Sequence, residues 1–203
     1  PVVSSAASDV YKRQYDTKAP TFEISSDANE IVNGDVAFEF VFSEEIQGFT
    51  SKDIKVKGGS KGKLFESGNN TYTLTVTPDE NSEGDIVVTT KAGIVTDLAG
   101  NKNEEAEKIK QAYDTKAPTF EITKDKDGVT NEDVTFEIHF SEEVKDFSTD
   151  VINISGSRFE KLTGSGDTYT LVATPDNNYE GNMSLEINSG AVEDLAGNEN
   201  DDG

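Results

Sequence analysis

The ten-residue segment YDTKAPTFEI occurs twice, from Tyr15 to Ile24 and again from Tyr113 to Ile122. Four further motifs, FSEE, TYTL, TPD and DLAGN, follow each copy in the same order. A repeat of this length suits a self-contained domain rather than a solenoid unit. The sequence therefore predicts two related domains, residues 15–113 and residues 114–203, with one residue lost from the second copy between Glu143 and Thr168.

The first fourteen residues, PVVSSAASDVYKRQ, have no counterpart in the second repeat. They lack the charged-then-apolar order of a signal peptide. They resemble the translated sequencing-adapter tails found at the ends of gene fragments assembled from environmental DNA. We therefore expect residues 1–14 to be non-native and the chain to be a piece of a longer protein.

The charge balance narrows the possible partners. The 203 residues include 40 acidic and 18 basic side chains, for a net charge of -22, and no cysteine. This balance argues against a nucleic-acid partner and against anionic membrane surfaces. Without an apolar run near 18 residues, membrane insertion is not expected. Disulfides and thiolate sites are impossible, whereas divalent cations would relieve the self-repulsion of so acidic a chain.

Apolar residues alternate with polar ones in several short segments, which is typical of half-buried antiparallel strands. The clearest segment is DVAFEFVF, and its counterpart in the second repeat keeps the same parity. TYTLTVTP repeats the pattern, with threonines on the outer face, and GDIVVTT does so more briefly. The inward residues of the first segment and its counterpart are Val36, Phe38, Phe40, Phe42, Val134, Phe136, Ile138 and Phe140.

Turn signals separate these strands, at VNGD, KGGSKG, ESGNN, NSEGD and DLAGN. Short strands at this spacing in about 100 residues predict an all-β protein of two tandem immunoglobulin-like Greek-key β-sandwiches. The segment NEEAEKIKQAY could form a helix through a Glu104–Lys108 pair. We interpret Ala106 to Tyr113 instead as the last strand of the first domain. The second domain is then expected to lack its last strand, to expose a sheet edge and to be the less stable of the two.

The combination of DTKAPTFEI, FEFVFSEEIQGFTSKDI, YTLTVTPD and DLAGN resembles the tandem bacterial immunoglobulin-like domains of large surface adhesins and biofilm-associated proteins. The resemblance covers Tyr15 to Gly203. It implies a non-catalytic stalk module, present in many copies, in a secreted or cell-surface protein. It also implies calcium near the domain junctions. The implied partners are neighbouring repeats of the same parent chain, and a host or matrix ligand would be bound by other domains.

The order of strands in such a sandwich brings three motifs to one end of each domain, because alternate strands run in opposite directions. DTKAP begins there, and FSEE and DLAGN each follow a strand that returns there. The loop TPDENSEGD of the first domain should face the second domain across the junction. Oxygen ligands without histidine or cysteine favour calcium over zinc or magnesium. The candidate ligands are Asp16, Glu44 or Glu45, Asp97, Asn101, Asp79, Glu83, Asp114, Glu142 or Glu143, Asp194 and Asn198.

Simpler interpretations of the same motifs remain open. The aspartate of DTKAP can cap a turn before proline, and DLAGN can be a turn with glycine at positive φ. Whether a metal would lie between domains or inside one is also left open. The segment KDKDGVTNEDV fails as a helix-loop-helix calcium site, because Thr123 and Val134 would occupy its first and twelfth positions.

An enzyme is not expected. His139, the single histidine, has the outward parity of its strand, and no nucleophile, zinc or phosphate-loop motif is present. Two other functions remain as alternatives, namely a ligand- or glycan-binding module and a spacer domain of a secreted hydrolase. Glycan sites usually expose aromatic side chains, and Tyr179 is the one aromatic residue that the strand pattern does not place in the core.

Overall fold

The computed structural model describes residues 13–28, 30–105 and 107–201. Within these residues the regular structure is β-strand, apart from one short 3-10 helix at Thr149–Val151. The interpretation of residues 1–12 as part of a non-native tail, and of Ala106 as the start of a strand, lies outside the described residues.

The described residues of the first repeat form nine strands. They are arranged in a four-stranded sheet of order β1-β2-β6-β5, a three-stranded sheet of order β4-β7-β9 and a short pair, β3-β8. This is the strand order of the two sheets of a constant-type immunoglobulin sandwich. The strands are β1 (Phe22–Ser26), β2 (Val36–Phe42), β3 (Ile46–Gln47), β4 (Lys55–Lys57), β5 (Gly59–Gly68), β6 (Thr71–Pro78), β7 (Glu83–Thr89), β8 (Thr96–Asp97) and β9 (Lys108–Asp114).

The second repeat follows the same plan with one strand fewer. Its sheets have the orders β10-β11-β15-β14, β13-β16 and β12-β17, and no counterpart of β9 occurs among its described residues. The predicted pair of immunoglobulin-like sandwiches, the second without its last strand, is thus confirmed. The strands are β10 (Phe120–Lys124), β11 (Val134–Phe140), β12 (Val144–Lys145), β13 (Ile152–Ser155), β14 (Ser157–Ser165), β15 (Thr168–Pro175), β16 (Ser184–Ile187) and β17 (Glu193–Asp194).

Each sandwich has its own core, built from the inward parity of its strands. In the first repeat Phe38, Phe40 and Leu74 are fully buried, and Phe38 lies opposite Leu74 in the β2-β6 ladder. Aromatic rings close one end of each core at edge-to-face angles, which favours ring packing beyond simple burial. These rings are Phe42, Phe49 and Tyr72 in the first repeat and Phe140, Phe147 and Tyr169 in the second.

The glycine-rich segment KGGSKG is not the turn that its composition indicates. Only Gly58 forms the turn, with φ of 74°; Lys57 ends β4, and the other four residues lie within β5. A Cβ at Gly59 would lie 2.6 Å from the carbonyl oxygen of Thr77, and one at Gly62 would lie 3.0 Å from that of Thr75. These glycines therefore permit the close approach of β5 to β6, which is a reason for glycine in a strand that does not involve a turn.

The segment interpreted as the last strand of the first repeat forms β9, so the helical alternative is wrong. β9 pairs with β7 along its whole length, from Thr89 opposite Lys108 to Glu83 opposite Asp114. The backbone N–H of Asp114 donates a 2.9 Å hydrogen bond to the carbonyl of Val32. Asp114 is thus the last residue of β9, although it opens the DTKAP motif of the following repeat.

Candidate metal centre

In the first repeat, backbone pairing brings three distant segments to one end of the sandwich. The β3-β8 pair places Ile46 opposite Asp97, so the FSEE segment lies beside DLAGN. The entering segment is held by Thr21, whose N–H donates to Ser43 Oγ at 3.0 Å and whose carbonyl accepts from the Ser43 N–H at 2.9 Å. The convergence predicted from strand direction is therefore present.

The three segments form a cluster of carboxylates. Asp16, Glu44 and Asp97 each offer an oxygen, and these oxygens all lie within 4.8 Å of one another. Asp97 is buried, Glu44 is half-buried and Asp16 is exposed. Of the two glutamates left open by the sequence, Glu44 is the one that joins this cluster.

The second repeat builds the same cluster at the junction between the two sandwiches. Asp114, Glu142 and Asp194 offer oxygens that again lie within 4.8 Å of one another. Val144 pairs with Asp194 across β12-β17, and Ser141 is bonded to the entering segment as Ser43 is in the first repeat. Asp194 is fully buried and the other two carboxylates are half-buried. Glu142, not Glu143, joins the cluster.

Two asparagines, predicted as ligands, orient the carboxylates through their Nδ2 atoms. Asn101 Nδ2 donates to Asp97 Oδ2 at 2.8 Å and to the carbonyl of Asp16 at 3.1 Å. Asn198 repeats both bonds, to Asp194 Oδ2 at 2.7 Å and to the carbonyl of Asp114 at 3.0 Å. An amide nitrogen cannot bind a cation, so the role these bonds show is to hold the buried aspartate and the entering strand in place.

The two acidic residues predicted from the TPDENSEGD loop differ in position. Glu83 lies opposite Asp114 in the β7-β9 ladder, and its negative charge acts on Glu142. Asp79 contributes its backbone carbonyl, which accepts a 2.7 Å hydrogen bond from Thr115 Oγ1. Neither side chain belongs to the group of three carboxylates at the junction.

The electrostatics of the junction cluster oppose full ionisation. The pKa of Glu142 is raised to about 6, first by burial and then by the charges of Asp114, Asp194 and Glu83, while Lys116 opposes the rise. None of the five ion pairs within the described residues involves a carboxylate of either cluster. The like charges therefore face one another without a paired lysine or arginine, which is unfavourable in the absence of a cation.

The pKa of Asp97 shifts in the opposite direction to that of Glu142. Its burial would raise the pKa, but hydrogen bonds from the Asn101 side chain and from the backbone N–H groups of Asn101, Ala99 and Gly100 outweigh burial and lower it. Donor groups that favour the charged form thus keep this carboxylate ionised although it is only 2% exposed.

The donor set fits a hard divalent cation. Each cluster combines three carboxylates from three segments, without histidine or cysteine, and calcium accepts such oxygen ligands in flexible geometry. Zinc would favour nitrogen or sulfur ligands instead.

The turn interpretations of the same motifs are confirmed. Asp16 Oδ1 accepts from the Lys18 N–H at 3.0 Å, and Asp114 Oδ1 accepts from the Lys116 N–H at 2.9 Å. In DLAGN, Gly100 has φ of 92°. Forming a turn and presenting a carboxylate are therefore compatible roles for one residue.

Two asparagines of structural importance were not identified from the sequence. Asn103 and Asn200 are both 2% exposed and bridge buried backbone groups. Asn103 Oδ1 accepts from the N–H groups of Ile94 and Val95. The available signal was the second asparagine of DLAGNKN and DLAGNEN, which stands at the same place in both repeats.

A family model described as the bacterial Ig-like domain matches residues 16–113 and again residues 114–203. The chain belongs to the bacterial Ig-like domain family. The resemblance inferred from the motifs is thereby confirmed. A search of curated proteins finds no match to the chain.

Bacterial Ig-like domains are generally structural modules and typically occur in extracellular or surface proteins. Within the described residues of the two Ig-like domains, no helix has the length and apolar character needed to cross a membrane. His139 is an exposed residue of β11, with 47% of its side chain accessible and Nε2 at 3.7 Å from Glu137 Oε2. This position agrees with the surface role expected from its parity.

Proposed function

We propose that the two Ig-like domains are a non-catalytic spacer within a bacterial cell-surface adhesin or biofilm-associated protein, and that calcium stiffens their joint. Neighbouring Ig-like repeats are the proposed partners, and adhesion is assigned to other domains of the parent protein. The observation that carries this proposal is the position of Asp114, which ends β9 of the first domain and offers its carboxylate to Glu142 and Asp194 of the second.

A cation held by this cluster would act on the joint directly. Asp114 is fixed to the first domain by its backbone bond to Val32 and by pairing with Glu83. Asp194 is fixed to the second domain by its pairing with Val144 in β12-β17, and Glu142 lies two residues before Val144 in the same segment. Binding the three carboxylates together would therefore restrict rotation between β9 and the second sandwich, while neutralising the charges that oppose their approach.

The linker that follows Asp114 is already short and anchored. Thr115 is hydrogen-bonded to the loop between β6 and β7 of the first domain, and Thr119 is hydrogen-bonded to Ser141 of the second. Pro118 limits the backbone freedom of the residues between them. Because the linker already has little conformational freedom, binding of calcium has little further entropy to remove from it. A modest calcium affinity is therefore sufficient for a stiff joint.

Calorimetry of the 203-residue chain in millimolar calcium, in magnesium and in chelator tests the proposal. Extracellular calcium modules bind at roughly 10⁻⁴ to 10⁻³ M. In millimolar calcium, which is about ten times a dissociation constant of 10⁻⁴ M, one site adds about 1.4 kcal/mol, and this corresponds to a rise of roughly 6 to 11 °C in the melting temperature of a domain of this size.

Small-angle scattering of the same samples tests stiffness separately. We expect a narrower distribution of maximum dimensions in calcium than in chelator. Equal melting and equal scattering in all three solutions would refute the calcium proposal. The spacer proposal would be refuted by a catalytic or glycan-binding activity of the isolated 203-residue chain.

A further inference from the structure

The loop between β1 and β2 contains the single Asn-Gly pair of the chain, Asn33–Gly34. Glycine has no side chain to shield the backbone nitrogen that follows the asparagine. In such a pair this nitrogen can approach the side-chain amide carbon of the asparagine and close a five-membered ring. Asn33 and Gly34 are both exposed, so solvent reaches the atoms that would react.

The residue before this pair is attached to the last strand of the first domain. The N–H of Val32 donates to the carbonyl of Ala112 at 3.3 Å, and the carbonyl of Val32 accepts from the N–H of Asp114 at 2.9 Å. These bonds form a bridge between Val32 and Tyr113 of β9. A change in the backbone at Asn33 would therefore act directly on the attachment of the end of β9.

The backbone nitrogen of Gly34 is open to reaction. Among the described residues, none accepts a backbone hydrogen bond from the Gly34 N–H. A Cβ built on Gly34 would meet no atom within 4 Å. The nitrogen therefore has no hydrogen bond to lose and no neighbouring group to displace before it approaches the side chain of Asn33.

The second domain has an asparagine at the same place, Asn131, in a setting that opposes this reaction. Glu132 follows it instead of glycine. The N–H of Glu132 donates to Thr130 Oγ1 at 3.1 Å, whereas the first domain has Val32, without a hydroxyl, at the position of Thr130. The nitrogen after Asn131 is thus shielded by a side chain and held by a hydrogen bond.

We propose that Asn33 is a site of spontaneous deamidation in which the backbone nitrogen of Gly34 is the nucleophile. This nitrogen loses its proton to a solvent base and forms a bond to Cγ of Asn33. The Cγ–Nδ2 bond breaks, and the amide group takes up a proton and leaves as ammonia. Water then opens the resulting succinimide at either carbonyl and gives aspartate or isoaspartate. Water is the only co-reactant, since no oxidation or reduction takes place.

The product carries a carboxylate at the contact between the two domains. Nδ2 of Asn33 lies 3.5 Å from the position that a Cβ would take on Gly197. The N–H of Gly197 donates to Asp194 Oδ1 at 2.7 Å, so this turn belongs to the junction cluster. Deamidation therefore adds a negative charge beside carboxylates that already repel one another.

Isoaspartate changes the backbone as well as the charge. Its chain continues through the former side-chain carbonyl, so a methylene group is added to the backbone between Val32 and Gly34. The far end of this short bend is also held, because Asp35 Oδ1 accepts a 2.7 Å hydrogen bond from Thr77 Oγ1. The longer backbone must therefore shift the attachment at Val32 or the one at Asp35.

Ageing of the 203-residue chain in mildly alkaline buffer tests the proposal. Mass spectrometry of tryptic peptides follows the change from amide to acid, and electron-transfer dissociation separates isoaspartate from aspartate. We expect both products to accumulate at Asn33, and to do so faster at higher pH because the attacking nitrogen must lose its proton. Asn131 should stay intact over the same period.

Gly34→Ala is the matched variant. Gly34 lacks a positive φ, and an added Cβ meets no atom, so the variant should fold as the wild type does. Its methyl group shields the attacking nitrogen, and most of the conversion at Asn33 should be lost. Equal conversion at Asn33 and Asn131, or undiminished conversion in Gly34→Ala, would overturn the inference.

The effect on the first domain is measured by calorimetry in chelator. The isoaspartate form, separated by ion exchange, is compared with Asn33→Asp, which has the added charge without the longer backbone. We expect the first domain of the isoaspartate form to melt at the lower temperature. Equal melting would overturn the backbone effect assigned to this form. Because neither the reaction nor this comparison involves a cation, failure of the calcium proposal would leave the inference unchanged.

Discussion

The hydroxyl of Thr115 donates a 2.7 Å hydrogen bond to the backbone carbonyl of Asp79, across the joint between β9 and the loop that follows β6. The same hydroxyl lies 3.1 Å from the carbonyl of Ser82 and accepts from the Ser82 N–H at 3.2 Å. One side chain of the linker is thus bonded to both ends of a loop of the first domain. The direction in which the chain leaves β9 is set by these bonds.

Replacing Thr115 with valine should loosen this exit while leaving the carboxylate cluster intact. We expect the free energy of unfolding of the first domain to fall by about 1 kcal/mol, since the bonds join partly exposed groups. Scattering curves should show a broader range of dimensions. Thr17→Val is the matched control, because Thr17 holds the same place in the first repeat and is exposed. Equal effects of the two substitutions would contradict the role assigned to Thr115.

Replacing Glu142 with glutamine should have opposite effects with and without calcium. In chelator the variant removes a charge that faces Asp114 and Asp194, so the second domain should melt at a higher temperature than the wild type. In calcium the variant loses a ligand, so most of the calcium-dependent stabilisation of that domain should disappear. Differential calorimetry measures both effects.

Glu143→Gln is the matched control for Glu142→Gln, since the two residues are adjacent and only Glu142 joins the cluster. It should behave as the wild type in both solutions. If Glu143→Gln reduced the response to calcium as strongly, the assignment of Glu142 would be wrong.

The stability of the second domain should depend on pH, and calcium should change that dependence. The pKa of Glu142 is raised from 4.5 to about 6 in the folded state, so the folded state binds its proton more tightly than the unfolded state. This contribution to stability is present below about 4.5 and is lost as pH rises through about 6. In chelator, the melting temperature of the second domain should therefore rise as the pH is lowered from 7 to 5, with most of the change near the pKa of Glu142.

The difference in melting temperature between calcium and chelator should shrink as the pH is lowered from 7 to 5, because protonation of Glu142 competes with binding of the cation. Melting curves of the wild type and Glu142→Gln across this range provide the measurement. If the difference in melting temperature between calcium and chelator stayed constant across this pH range in the wild type, Glu142 would not take part in calcium binding.

Removing the Asn103 side chain should destabilise the first domain more than any surface change. Asn103→Ala leaves the N–H groups of Ile94 and Val95 and the carbonyls of Lys91 and Glu105 without their bonds. We expect a loss of about 2 to 4 kcal/mol in the free energy of unfolding, measured by urea denaturation.

Asn153→Ala provides the comparison for Asn103→Ala, since Asn153 is exposed and bonds only to Asn188 on the surface of the second domain. Its effect should remain within about 0.5 kcal/mol. Similar losses of unfolding free energy for the two substitutions would show that the buried hydrogen bonds of Asn103 contribute little to the stability of the first domain.

Much of the fold could be predicted because it depends on parity and chain direction. The burial of Phe38 and Ile138 follows from strict alternation in β2 and β11. The approach of Asp97 to Glu44 follows from the direction of the strands that precede them. These features rest on backbone geometry that is the same in any sandwich of this order.

Other features depended on contacts that a linear pattern does not contain. Gly59 looks like a turn residue, yet the carbonyl of Thr77 is what requires glycine there. The choice of Glu44 over Glu45 depends on which side chain of the three-residue connection between β2 and β3 faces Asp97. Tyr179 could not be placed because Gly156, which it packs against, is distant from it in sequence.

The division of the junction cluster between the two repeats has a consequence for how a protein built from such repeats could change in length. The aspartate that completes the cluster comes from the end of one domain, and the other two carboxylates come from the next. Any further joint between repeats with the same motifs would be assembled from the same parts. Gain or loss of a whole repeat would leave each remaining joint unchanged, so the length of the row of domains could vary while the stiffness of each joint stays the same.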